Sequence, residues 1–315
     1  VVKPLFFPGG DIGRLAVTGT VNDVAMCGAK PLWLSAAFIL EEGFPLKDLE
    51  KIVQSMAETA REAGVAVVTG DTKVVEKGHG DGVYIATPGI GERLADHMIS
   101  GAQARPGDRV IVSGSIGDHG MTVMSLREDM TFGTDLKSDC APLGKMVERI
   151  LAAAPGTHVL RDPTRGGLGT TLNEIAAESS VGITLHEAAI PVKDEVRAAC
   201  EFLGLDPLYS ACEGRLIAIV PEEEAEAAKE QALSAGGISR AEGSDRRKVC
   251  TQLLRSQWGE ILPVYSQGRV YTVDIPGNVC RAELRQRQGF SGATYPSGAV
   301  SDSDDPDGQR NRVYQ

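Results

Sequence analysis

Two apolar runs flanking one well-patterned amphipathic helix set the first constraint on this chain. Leu32 to Leu40 is apolar and bounded by Pro31 and Glu41, which predicts a buried strand. Pro45 then opens a helix. Leu46, Leu49, Ile52, Val53, Met56 and Ala60 recur at helical spacing, with Lys47, Asp48, Glu50 and Lys51 outside that stripe. Gly64 is placed to cap its end. Val65 to Thr69 predicts a second strand, with Gly70-Asp71-Thr72-Lys73 at its C-terminal tip, and Val83 to Thr87 a third.

Upstream, residues 14 to 28 predict a small-residue helix with Ala16, Thr20, Val24 and Cys27 on one face. Downstream, Arg105 to Gly117 reads as a linker and the start of a second domain, with a strand over Val110 to Val112. Asp139 to Ala153 predicts a helix. Arg161 to Leu168 is a polar, glycine-containing turn followed by a helix through Glu178. Gly182 to Leu185 and Leu216 to Val220 read as strands, and Glu222 to Leu233 as an alanine-glutamate helix. The chain therefore reads as α+β in two halves. Its expected divisions are 1–104, 105–234 and a tail over 235–315 that is poorly ordered from about residue 291, where Pro, Gly, Ser and Asp dominate.

A chain of 315 residues, 42% of them hydrophobic, can bury two cores. Its formal charge of −11 argues against a nucleic-acid partner, because phosphate backbones need a positive footprint. No apolar run approaches the roughly 20 residues that span a bilayer, so no membrane segment is expected. The six cysteines form no CxxC pair, so zinc is not expected. Cys27, Cys140, Cys200 and Cys212 read as reduced core thiols. The chain opens on Val1 in what reads as an extended segment, so its natural start is expected upstream.

Several positions can carry chemistry. Asn22-Asp23 sits in a glycine-punctuated stretch, Lys3 to Pro31, and an amide beside a carboxylate suits Mg²⁺ with its phosphates. Asp71 and Thr72 follow a buried-looking strand, and Lys73 offers a positive charge to a phosphate or a developing anion. In Arg161-Asp162-Pro163-Thr164-Arg165-Gly166-Gly167 the two glycines let backbone approach phosphate ahead of a helix N-terminus. Glu213, in Ala211-Cys212-Glu213-Gly214-Arg215, is placed to act as a general base. Taken singly, each of these also reads as an ordinary turn, cap or surface residue.

In order and spacing, these motifs resemble those of the aminoimidazole ribonucleotide (AIR) synthetase superfamily, and more narrowly the HypE family of carbamoyl dehydratases that mature hydrogenases. Gly9-Gly10-Asp11-Ile12-Gly13 and Ile39-Leu40-Glu41-Glu42-Gly43-Phe44-Pro45 add to the match, which runs from Val1 to about Ser234. The resemblance implies a two-domain, PurM-like fold: an N-terminal sheet domain that pairs with its twin in a homodimer, a C-terminal α/β domain, and ATP in the cleft between them. It implies Asp23, Asp71 and Asp162 as Mg²⁺ ligands and Asn22, Asp71, Thr72, Thr164, Arg165, Gly166 and Gly167 as nucleotide contacts. It implies Lys73 as the group that steadies negative charge and Glu213 as the base. The implied reaction dehydrates a carbamoyl group on a C-terminal cysteine to a thiocyanate, whose cyanide goes to the iron of a [NiFe] hydrogenase. The implied partners are a HypF-like carbamoyltransferase and a HypC–HypD-like iron scaffold, in the cytoplasm.

The family pattern fades near Ser234. Beyond it only Lys248 remains against ten arginines, and the chain closes on Arg312-Val313-Tyr314-Gln315 where the family carries Pro-Arg-Ile-Cys. A frame shift or unrelated extension is expected there. Alternatives at this point are another ATP-using synthetase of the superfamily, making AIR or selenophosphate, and a non-catalytic scaffold.

Overall fold

A computed structural model describes residues 2–128 and 136–235, and beyond them the backbone of four strands, Cys250–Leu254, Val264–Ser266, Arg269–Asp274 and Arg281–Arg285. The stretch expected to be poorly ordered from about 291, and the end of the chain, lie outside the described residues.

The N-terminal half runs β1 (Phe6–Phe7), β2 (Gly10–Asp11), α1 (Ile12–Met26), β3 (Ala29–Glu41), α2 (Leu46–Ala63), β4 (Ala66–Val75), β5 (Val83–Ala86) and β6 (Gly89–Arg93). Asp11 starts α1, its side chain accepting the N–H of Arg14 at 2.9 Å. Gly64 ends α2 in the left-handed conformation, its N–H turned back to the carbonyls of Ala60 and Arg61. The strand–helix–strand unit makes β3 and β4 parallel neighbours; β5 and β6 pair antiparallel with the other side of β3. The helices α1 and α2 pack on this sheet through Val17, Val21, Leu34, Ile52 and Met56. Small residues on α1 allow the approach: a Cβ at Gly13 would collide with the carbonyl of Ile52.

The second half runs β7 (Arg109–Val112), α3 (Asp118–Arg127), α4 (Gly144–Ala153), β8 (Val159–Arg161), α5 (Gly167–Ser179), β9 (Gly182–Ile183), α6 (Asp194–Leu203), β10 (Ile217–Val220), α7 (Ala225–Ala235) and β11 (Cys250–Leu254). Its sheet has the order β8-β10-β7-β11-β9. β10 lies between β8 and β7 and is wholly buried, so Ile217 and Ile219 face one core layer while Ala218 and Val220 face the other. Ile217→Ala is expected to cost about 2–5 kcal/mol, since the fully buried site cannot collapse around the void. A urea midpoint unmoved by this substitution would contradict that packing.

Four expectations change. Gly70-Asp71-Thr72-Lys73 lies inside β4, because that strand stays paired with β3 from Ala66 to Val75 rather than ending at Thr69. The helix expected from Asp139 begins only at Gly144, because residues 136–143 run as an extended strap whose polar groups bond elsewhere. The sheet of the second half takes β11 from beyond residue 234, past the expected boundary. Finally, Cys140, Cys200 and Cys212 are buried as expected, whereas Cys27 is exposed at the end of α1.

Candidate functional site

Three carboxylates and one arginine from distant parts of the sequence lie close enough for their charges to act on one another. Asp23 lies on the exposed side of α1; Asp162 follows β8; Glu213 precedes β10. The second and third are stitched together by the N–H of Cys212, which donates to the carbonyl of Pro163 at 3.0 Å. Asp162-Pro163-Thr164-Arg165 then leads into α5 through Gly166 and Gly167, both with positive φ, 70° and 63°. A Cβ at Gly167 would stand 2.6 Å from the carbonyl oxygens of Leu208 and Ser210. Gly167→Ala is therefore expected to destabilise the fold by about 1–3 kcal/mol; a denaturation midpoint equal to the parent's would refute it.

The electrostatics bind these groups into one unit. Burial, then the charges of Asp139, Asp162 and Asp23, push the Glu213 carboxyl up to about 8, against the pull of Arg165. Desolvation, followed by the charge of Asp23, pushes Asp162 up. Asp23 is also raised by desolvation, with Arg165 opposing. A concentration of negative charge beside the open N–H groups of a 13-residue helix calls for a cation carrying phosphates. Among the described residues no three His, Cys, Asp or Glu donors converge closely enough to hold a metal ion alone.

Asn22 does something other than expected. Its side chain is almost wholly buried and is spent on backbone: Nδ2 donates to the carbonyls of Ala141 at 3.1 Å and Glu213 at 3.3 Å, and Oδ1 accepts the N–H of Leu143 at 2.8 Å. Asp71, Thr72 and Lys73 sit on β4, exposed. Among the described residues no hydrogen bond or ion pair joins them to the Asp23–Asp162–Glu213 group. Thr164 is half-buried in its turn and Arg165 is exposed above it.

Sequence reasoning missed the supports of Glu213. The Asp139 Oδ1 accepts the N–H of Glu213 at 3.1 Å, and Arg215 stands between Asp139 (3.7 Å) and Asp118 (3.5 Å). Lys193 closes on Asp118 at 2.7 Å. Asp139 is 74 residues from Glu213, Asp118 opens α3 and Lys193 caps α6, so no local spacing announces these three, and only Arg215 is a near neighbour. On the far side of Glu213 opens a cavity of about 440 Å³, walled by Leu15, His119, Met121, Met124 and Tyr209.

Comparison with known proteins bears on this site. Models of the AIR synthase related protein match the chain over both halves, the N-terminal domain at residues 1–92 and the C-terminal domain at 105–242. The carbamoyl dehydratase HypE of Azotobacter vinelandii is 66% identical over 226 residues, which is 72% of this chain and 66% of that protein. The chain belongs to the HypE family. A crystal structure of HypE in complex with ATP superposes with a TM-score of 0.74 at 52% identity, covering 81% of this chain and 73% of that one. The HypE of a HypE–HypF complex superposes with a TM-score of 0.77 at 49% identity, over 87% and 88%. The two-domain α+β architecture of HypE proteins is thus the architecture of this chain, and the match spans about two thirds of the length of its curated HypE relative.

Proposed function

We propose that this chain is a HypE-type carbamoyl dehydratase: it converts an S-carbamoyl thiol to a thiocyanate at the expense of ATP. The observation that carries the reading is Glu213, a carboxylate with a strongly raised pKa. It is shared between an acidic, cation-seeking cleft and an apolar cavity. A general base with a pKa near the working pH is what removal of an amide proton requires.

Bound MgATP would supply the phosphoryl group that turns the carbamoyl oxygen into a leaving group. Asp23 and Asp162, with Asp71, are the carboxylates assigned to Mg²⁺. The N–H groups at Gly166 and Gly167, with Thr164, Arg165 and Thr72, are assigned to the phosphates. Glu213 removes a proton from the carbamoyl nitrogen. Two protons leave that nitrogen in all, as the C–O bond to phosphate breaks and C≡N forms. Lys73 steadies the negative charge that builds on the oxygen. The cavity beside Glu213 is where the carbamoyl thiol would reach the base.

The partners follow the same reading: a HypF-like transferase to load the thiol, a HypC–HypD-like scaffold to take the cyanide, and a second copy of the chain. Among the described residues no helix is long and apolar enough to cross a membrane, and a cytoplasmic site of action is part of the proposal.

Calorimetry with MgATP tests the nucleotide half. Asp23→Asn and Asp162→Asn are each expected to weaken MgATP binding about tenfold while affecting Mg²⁺-free ATP much less. Equal losses with and without Mg²⁺ would move the metal elsewhere.

A further inference from the structure

We propose that Asn22 and Asp139 are positioning residues for Glu213, gripping its backbone from opposite sides so that its carboxylate stays fixed in the cleft. The proposal rests on Glu213 being the base and deepens that assignment.

Both backbone polar groups of Glu213 are held by side chains. Its N–H donates to the Asp139 carboxylate at 3.1 Å, and its carbonyl accepts from the Asn22 carboxamide at 3.3 Å. Asn22 comes from α1 and Asp139 from the strap, so each half of the molecule contributes one grip. The strap is in turn fixed to the N-terminal half. Ser138 donates its N–H to the carbonyl of Pro8 at 2.9 Å, Arg14 Nε donates to that of Cys140 at 2.9 Å, and Asn22 itself holds Ala141 and Leu143. Packing leaves no slack: a Cβ at Gly214 would run into the carbonyl of Asp139. The neighbouring peptide is pinned as well, through Cys212 to Pro163.

The physical need is clear. Glu213 faces three carboxylates, and repulsion from Asp139, Asp162 and Asp23 favours any movement that takes it away from them into solvent. Holding the peptide at both N–H and C=O fixes the origin of the side chain and limits that escape. A misplacement of about 1 Å at a reacting group costs on the order of 10²-fold in rate. Asn22 and Asp139 act through Glu213 and touch no substrate in this scheme.

The test is a mutant cycle on ATP-dependent dehydration of a synthetic S-carbamoyl-cysteine peptide, reading kcat and the KM for ATP. Asn22→Leu and Asp139→Ala are each expected to lower kcat about 10- to 100-fold with KM for ATP within about twofold. Asp139→Asn, which keeps an acceptor for the Glu213 N–H, is expected to recover most of that rate. In a Glu213→Gln background, Asn22→Leu and Asp139→Ala are expected to cost less than about twofold more, because residues acting as a unit are not additive. Amide exchange at Glu213 should quicken in Asp139→Ala and stay slow in Asp139→Asn, a readout that needs no turnover. Unchanged kcat in Asn22→Leu and Asp139→Ala, or full additivity on Glu213→Gln, overturns the positioning role alone. Wild-type turnover by Glu213→Gln overturns the base assignment and the positioning role with it.

Discussion

Glu213→Gln is expected to lower the dehydration rate by about 10²–10⁴ while MgATP affinity stays within about threefold. The amide keeps the volume and the peptide grip of the glutamate but cannot accept the carbamoyl proton. Below pH 8 the protonated glutamate and the amide are both uncharged beside Asp139, Asp162 and Asp23, so the fold should not suffer. Steady-state kinetics with calorimetry in parallel check both halves of the statement; a rate within about fivefold of the parent would exclude Glu213 as the base. A pH profile gives a second reading. With its carboxyl pushed up to about 8, Glu213 is a base only once deprotonated, so kcat/KM, which reports the free protein, should climb as pH rises through that region. The stability sign runs the other way. Between the ordinary glutamate value of about 4.3 and 8 the folded state holds a proton that the unfolded chain has lost. This group therefore makes the protein less stable as pH rises across that window. Glu213→Gln should flatten that dependence.

Val68→Asp combined with Val74→Asp is expected to convert a homodimer to monomers, raising the dissociation constant by roughly two orders of magnitude or more. All of β4 up to Val74 is exposed, although it pairs along its length with β3. Val67, Val68 and Val74 on β4, Trp33 and Ile39 on β3 and Ile90 on β6 stand open, Trp33 at 50% and Val68 at 61%. An apolar sheet surface of this kind is stable in water only when something covers it, and the edge of β4 invites further pairing. A twin sheet of the same chain, as in the proposed homodimer, would satisfy both demands. Sedimentation or light scattering reads the mass directly: a dimeric parent and a monomeric variant agree with the proposal, and a variant of unchanged dimer mass rejects this surface as the interface.

Much of the N-terminal half is legible in the residues because its signals are local. The stripe Leu46–Leu49–Ile52–Met56–Ala60 and the stop at Gly64 become α2 with its left-handed cap. The apolar run Leu32–Leu40 becomes the middle of β3. What escaped is mostly non-local. β4 runs on through Asp71 and Lys73 because β3 is long enough to pair them, which no propensity of Gly, Asp or Lys foretells. Residues 139–143 stay out of the helix for a reason partly local: Pro142 lacks an N–H and turns Ala141 away from helical geometry, while Asn22 takes up the Ala141 carbonyl and the Leu143 N–H. The helix α6 was within reach, since Val196, Ala199, Cys200 and Leu203 keep helical spacing. Of the proposed site, Asp23, Asp162, Arg165 and Glu213 stand out in the sequence, and the fold brings them close enough for their charges to act on one another. Asn22 was singled out with them, and its bonds go to the chain itself. Asp139 carries no motif, and Arg215, although it closes the Ala211–Arg215 motif, shows its role only in the carboxylates it touches.

The most direct measurement is the product of the reaction itself. The chain is incubated with MgATP and a peptide bearing S-carbamoyl-cysteine, and the peptide is weighed by mass spectrometry while ADP and phosphate are counted. The account predicts a peptide lighter by one water, with the infrared stretch of a thiocyanate and ADP formed in equal amount. Peptide of unchanged mass in the presence of bound MgATP would contradict it.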